Sequence, residues 1–398
     1  MLKDLSFKLH TLTVFRNLLN DGVMENLLAF LDSAEKGDLR ASLDLYCSFV
    51  KSLYESGFQS LASYVAEITA SDENVFIRYK TRNESLPSAV AESTENELSV
   101  LQEVCDLSSE KLTGMISYEG LLPSFKEEKV NLSEIYSHRM ENIHKYGYGM
   151  YAKYRMFYLS EGKIVPVVNP DRTLLSELID YKREQKIILD NTNALLSGKP
   201  ASNILLTGDA GTGKSSTIKA IVNELYSEGL RILEVRKEQL REIPKILDEL
   251  TDNPLKFIIF IDDLSFQKDD DNFSALKAIL EGSVSAKGQN VVIYATSNRR
   301  HLVKESFSDR EGDDVHRNDT MQEIISLSER FGIQVTFSRP DKKTYLDIVH
   351  HLADAAGIEY EEEKIDLLAE RFVLSRGSRS ARAARQFIDN IISGNIIL

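Results

Sequence analysis

Cysteine is scarce in this chain of 398 residues, which has only Cys47 and Cys105. They lie far apart and without metal-ligand spacing, so both are expected as small core residues of a cytosolic protein. The seven histidines form no metal cluster either. No apolar run approaches the length of a membrane span. The N-terminal "MLKDLSFKLHTLTVF" lacks a basic start followed by an apolar block and a cleavage site, so a cytoplasmic protein without a membrane partner is expected. Excess basic charge is also missing. The net charge is −14, with 22 basic against 29 acidic residues in 1–200 and 26 against 33 in 201–398. Neither half is a basic domain, which weighs against tight, sequence-independent nucleic-acid binding but leaves room for a local patch. No internal repeat is found.

What is present reads as an ordinary globular chain, 42% hydrophobic and 28% charged, long enough for two or three domains. The first hundred residues have helical periodicity. Met24, Leu27, Leu28 and Leu31 follow the i, i+3, i+4, i+7 pattern, as do Leu43, Tyr46, Cys47 and Val50, then Leu61, Tyr64, Val65 and Ile68. Such faces need partners, and a helical bundle supplies them. The polar, aperiodic "TRNESLPSAVAESTENE" from Thr81 to Glu97 reads as a loop or linker. Residues 146–158 hold five of the sixteen tyrosines beside Lys145, Lys153 and Arg155. They could stack the bases of a single strand or pack a junction between domains, the reading favoured by the acidic balance. A hairpin, "MFYLSEGKIVPVV", should follow, turning at Glu161-Gly162. From Leu174 short apolar strands alternate with amphipathic helices, which is α/β layering around a mainly parallel sheet. Beyond Pro340 the chain is expected to be helical.

The chemistry begins after the strand Ile204-Leu205-Leu206, with "GDAGTGKSS", residues Gly208, Asp209, Ala210, Gly211, Thr212, Gly213, Lys214, Ser215 and Ser216. This fits G-x-x-x-x-G-K-[ST] between a strand and a helix, the setting that the mechanism requires. Glycines let backbone N–H groups curl around a phosphate, and the helix N-terminus adds partial positive charge. Lys214 would reach the β- and γ-phosphates of ATP, and Ser215 would ligate Mg²⁺. A second strand, "FIIFI", ends in Asp262 and Asp263. Two adjacent like charges need a positive partner, and Mg²⁺ held by Asp262 would be one. Asp263 would then orient or deprotonate the attacking water.

With these motifs the chain resembles the AAA+ ATPases over roughly residues 172–398. The resemblance implies that Asn298, ending "NVVIYATSN", is sensor 1. It makes Arg330 of "LSERFG" the arginine finger, acting on a neighbouring subunit's nucleotide. In "GSRSARAARQFIDNI" it gives Arg382 as sensor 2, with Arg379 and Arg385 as runners-up. In "LIDYKREQ" it lays Ile179 and Tyr181 against the adenine, although Asp180 stands where glycine is usual. Asp263 stands where glutamate is usual, one methylene shorter. "EVRKEQLREIP" lacks the aromatic-hydrophobic-glycine pore loop of protein-threading unfoldases. The insertion "FSDREGDDVHRND" contains His316 and several acids and reads as a solvated loop. Within the superfamily, "IDDLSF" and "YATSNRRHL" resemble a bacterial family of predicted AAA+ ATPases known only as a domain of unknown function.

The expected architecture is therefore an N-terminal helical domain (1–145), a Tyr-rich junction with a hairpin (146–171), an AAA+ core with a parallel five-stranded sheet and helices on both faces (172–340), and a helical lid (341–398). The expected activity is hydrolysis of Mg²⁺-ATP in a homo-oligomer, a ring or open ring, acting on a protein or nucleic-acid client. An ATP-gated switch with little hydrolysis and a DNA loader or initiator, hinted at by the Tyr-rich stretch 146–158 and by Arg299 and Arg300, are the alternatives.

Overall fold

A computed structural model describes residues 2–265, 271–281, 290–298 and 329–397. Arg299, Arg300 and the insertion with His316 lie outside the described residues. The chain forms two compact units, Met1–Lys153 and Tyr154–Leu398.

The first unit is helical. Its helices Gly22–Lys36 and Leu39–Glu55 are separated only by Gly37, in the left-handed region, and Asp38, whose carboxylate accepts from the Ala41 N–H at 3.0 Å. So short a connection folds one helix back on the other. Leu27, Phe30, Leu31, Tyr46, Phe49, Val50 and Leu53 are buried between them and their neighbours. Cys105 is buried as expected, but Cys47 is exposed. Phe49, three residues after Tyr46, takes the core position that the periodicity had offered to Cys47, and it buries much more apolar surface.

The expected loop from Thr81 to Glu97 is also corrected, because a helix runs from Ser88 to Cys105. Its buried face contains Thr94 and Glu97 beside Leu98, Leu101 and Val104, so the hydrophobic period is disguised. Glu97 is accommodated by hydrogen bonds. One carboxylate oxygen accepts from Thr13 N–H (2.9 Å), Thr13 Oγ1 (2.5 Å) and Val14 N–H (3.1 Å), and the other accepts from Phe15 N–H (2.9 Å). A buried carboxylate with this many donors satisfies backbone groups that would otherwise be orphaned. In the tyrosine-rich stretch, Tyr146 carries the Arg139 guanidinium 4.7 Å from its ring centroid and Tyr151 is buried. Tyr158 belongs to the second unit and is 41% exposed.

Among the described residues, the second unit has seven strands: β1 (Met156–Ser160), β2 (Lys163–Pro166), β3 (Ile204–Gly208), β4 (Leu230–Glu234), β5 (Lys256–Ile261), β6 (Val291–Ser297) and β7 (Ile333–Phe337). Their order is β2-β1-β4-β5-β6-β3-β7. Every pairing is parallel except β1 with β2. The five parallel strands expected in 172–340 are β3 to β7, and the hairpin strands β1 and β2 enlarge their sheet to seven. The hairpin does not stand apart: Met156, Phe157 and Tyr158 pair with Ile232, Leu233 and Glu234, extending the sheet past β4. Phe157 and Leu159 are buried, which gives β1 the apolar side chains to join it.

Strands β5 and β6 are almost wholly buried, as apolar runs covered on both faces should be. Ile218, Ile221 and Val222 of the helix Lys214–Leu225 and Ile188 and Leu195 of the helix Lys182–Leu196 pack with Ile204, Leu206, Ile258, Phe260 and Val292. Tyr294 is fully buried in that layer, its hydroxyl bonded to Asn191 (3.0 Å) and Thr192 (2.9 Å). After β7, the helices Lys342–Ala355, Glu362–Arg376 and Ala381–Ile392 share a core of their own around Tyr345, Val349, Ile365, Ala369 and Phe387.

The strand order matters for function. From β3 the chain passes over two positions to β4, returns through β5 and β6, and finally places β7 on the other side of β3. The carboxyl end of β3 is therefore a topological switch point, where open α/β sheets leave a crevice for ligands.

Candidate functional site

A cavity of about 830 Å³ opens at that crevice. Its floor is the turn from β3 into the helix Lys214–Leu225. Gly208 has φ +137° and lies against β7, and a Cβ there would sit 2.0 Å from the Phe337 carbonyl oxygen. Gly211 has φ +81°, and a Cβ there would meet Arg382 Cβ at 3.0 Å and Ser380 Oγ at 3.1 Å. Only glycine relieves both the backbone and the contact constraints at these two corners.

Lys214 is 5% exposed. Its ammonium donates to the carbonyl oxygens of Gly208 (2.8 Å) and Asp209 (2.9 Å) and to Asn298 Oδ1 (3.0 Å). Burial pulls its pKa below the ordinary lysine range, against the opposing effect of Asp262, Asp209 and Asp263. The Asp209 carboxylate turns elsewhere, to Arg339 Nε at 3.1 Å.

The two aspartates after β5 are exposed and differently partnered. Asp262 Oδ1 accepts from Ser215 Oγ at 2.7 Å and from Thr296 Oγ1 at 2.5 Å. Asp263 has φ +53°, a left-handed conformation uncommon for aspartate. Its Oδ1 accepts from Asn298 Nδ2 at 2.7 Å. Asn298 thus bridges Lys214 and Asp263, through its carbonyl and its amide respectively. The opposite wall holds Ile179, Tyr181, Ile348 and Leu352, with Arg382 and Arg385 from the last helix. The ring of Tyr181 lies 4.8 Å from that of Phe337 and its hydroxyl donates to the Ser338 carbonyl. Burial pushes its phenol pKa up.

The structure thus brings Ile179, Tyr181, residues 210–216, Asp262, Asp263, Asn298 and Arg382 to one cavity. Gly208 and Asp209 lie beneath it, contributing carbonyls to Lys214. Arg330 is not among the lining residues, and its Nε donates to Glu281 Oε1 at 2.8 Å. Of the three candidate arginines in the last segment, Arg379 is held by a fork to Glu370 (3.1 and 2.8 Å), and Arg382 and Arg385 line the cavity.

The model of the family described as "Protein of unknown function (DUF815)" matches residues 151–395. The chain belongs to this family. No curated protein matches it. Among solved structures, this DUF815 chain is similar to Thermotoga maritima RuvB, a Holliday junction branch migration motor, at 15% identity over 55% of this chain and 72% of that one, with a TM-score of 0.33. It is similar to C. elegans PCH-2 at 18% identity over 55% and 64%, TM-score 0.38. It is similar to the replication initiator DnaA bound to AMPPCP and single-stranded DNA at 19% identity over 56% and 66%, TM-score 0.38. The functional reading of the DUF815 chain rests on its own site.

Sequence reasoning missed Thr296, although it stands two residues before Asn298 in the quoted "YATSN". Its signal was a polar residue in a strand whose other members are nearly all apolar. Ile348 and Leu352 were missed as well, because their helical period marks them equally as core of the C-terminal helices.

Proposed function

We propose that the chain binds Mg²⁺-ATP in this cavity and hydrolyses it to ADP and phosphate, as an AAA+-type ATPase whose turnover in an oligomer remodels or assembles a macromolecular client. The observation that carries the reading is one convergence. A glycine-cornered loop with a buried lysine meets two adjacent aspartates that have different partners, at the switch point of a parallel sheet.

The donor set fits the cation. Ser215 and Asp262 are hydrogen-bonded to each other and offer only oxygen, the donor type that Mg²⁺ takes. When bound, Mg²⁺ would neutralise phosphate charge. Lys214 is held at the loop by three neutral oxygens and would exchange one of them for a phosphate oxygen. Arg382 and Arg385 add positive charge to the cavity, and Ile179, Tyr181, Ile348 and Leu352 offer an apolar wall for the base. Asp263, steadied by Asn298, is the group to orient a water and take its proton.

A second reading, an ATP-gated switch with little turnover, holds if Asp263, one methylene shorter than glutamate, cannot reach the attacking water. Phosphate release separates the two. Turnover well above background that rises with protein concentration supports the motor, and nucleotide binding without turnover supports the switch. Absence of nucleotide binding contradicts both.

A further inference from the structure

We infer that Thr296 is the positioning residue that gives Asp262 and Asp263 their separate tasks, an inference that rests on the proposed nucleotide site. The register shows how. Strands β5 and β6 pair as far as Ile261 with Ala295. The next rung would set Asp262 opposite Thr296, but there β5 ends and its chain turns. Thr296, 2% exposed, takes hold of all three residues that follow. Its hydroxyl donates to Asp262 Oδ1 at 2.5 Å and accepts from the Asp263 N–H at 2.9 Å. Its carbonyl accepts from the Leu264 N–H at 2.7 Å.

One hydroxyl therefore uses its donor on the first acid and a lone pair on the backbone of the second. The direction is forced, since an N–H can only donate and a carboxylate only accept. Asp263 is left-handed at φ +53°, a conformation that an aspartate keeps only when its surroundings hold it. The bond from its N–H to Thr296 is such a hold, and with it the Asp263 carboxylate meets Asn298 rather than Asp262. On the other side, Thr296 and Ser215 converge on the same oxygen of Asp262, fixing that carboxylate toward the loop. Without the hydroxyl, adjacent acids of like charge would be free to share one orientation.

The test is Thr296→Val, which keeps the branched shape and the carbonyl but removes the hydroxyl, beside Thr296→Ser, which restores it. Three quantities are measured: steady-state phosphate release from ATP, the Mg²⁺ concentration for half-maximal turnover, and affinity for a fluorescent ATP analogue in EDTA. The expected result for Thr296→Val is turnover lower by about 10- to 100-fold, the effect of losing a hydrogen bond to a charged group. Half-saturation should move to higher Mg²⁺, with metal-free affinity unchanged. Thr296→Ser should recover most of both losses. Parent-like turnover and Mg²⁺ dependence in Thr296→Val would overturn the assignment. So would equal losses in both variants, or a loss of metal-free affinity, since either would mark a role in folding alone. A parent chain without Mg²⁺-dependent nucleotide binding would instead overturn the proposed function and this inference with it.

Discussion

Replacing Lys214 with alanine separates what the lysine does for the fold from what it does for a ligand. In the structure its ammonium ties together the carbonyls of Gly208 and Asp209 and the side chain of Asn298, at 2.8, 2.9 and 3.0 Å. A hydrogen bond to a charged group contributes about 1.5–3 kcal/mol net, and these three share one cation beside an open cavity whose water can replace part of what is lost. Lys214→Ala should therefore destabilise the apo second unit by about 1–3 kcal/mol, offset in part because burial itself disfavours the charged lysine. The ligand effect should be separate and larger in consequence. Loss of one charged phosphate contact weakens affinity about 10- to 100-fold. Equilibrium titration with a fluorescent ATP analogue, on variant protein shown to be folded by circular dichroism, reads the second effect, and urea unfolding without nucleotide reads the first. Unchanged affinity in a folded variant would refute the phosphate role, and an unchanged apo midpoint would refute the bracing role.

Arg330→Ala should leave ATP affinity intact and lower turnover by about 10³–10⁵-fold if the arginine acts on a neighbour's nucleotide. Mixing it with Lys214→Ala should restore part of the activity, and no rescue in a phosphate-release assay would contradict an action of Arg330 across subunits. In the first unit, burial raises the Asp72 pKa to about 6, helped by Glu73 and opposed by hydrogen bonds from Asn74 and Asn17. A raised folded-state pKa makes the folded chain the better proton binder between about pH 4 and 6, so stability from this group is full at lower pH and falls as pH rises through that window. Asp72→Asn should raise the unfolding free energy at pH 7 by up to about 3 kcal/mol, seen as a higher urea midpoint, and flatten that slope. A midpoint that does not rise at pH 7 would contradict this.

The site was legible where chemistry demands a local spacing. The glycine loop through Lys214 and Ser215 is one contiguous run, and the aspartates are adjacent residues at a strand end 47 positions beyond Ser215, so each piece could be read from local spacing. The rest depends on register or on distant partners. Thr296 meets both aspartates only because β6 continues past the end of β5 at Ile261, and it is Glu370, nine residues before Arg379, that sets this arginine apart from Arg382 and Arg385. That β1 extends the sheet could not be read from a hairpin pattern, which specifies its own pairing but not its neighbour. In the first unit, the helix Ser88–Cys105 was hidden because its buried face carries a carboxylate whose donors lie some eighty residues earlier.

The most direct test of the central claim is phosphate release from ATP by the purified chain, with Mg²⁺ and with EDTA, comparing the parent with Asp263→Asn. The parent should turn over ATP only with Mg²⁺. Asp263→Asn should bind Mg²⁺-ATP as the parent does and turn over about 10²–10⁴-fold more slowly, the range for loss of a general base. Metal-independent release, or equal rates in the two proteins, would contradict the account.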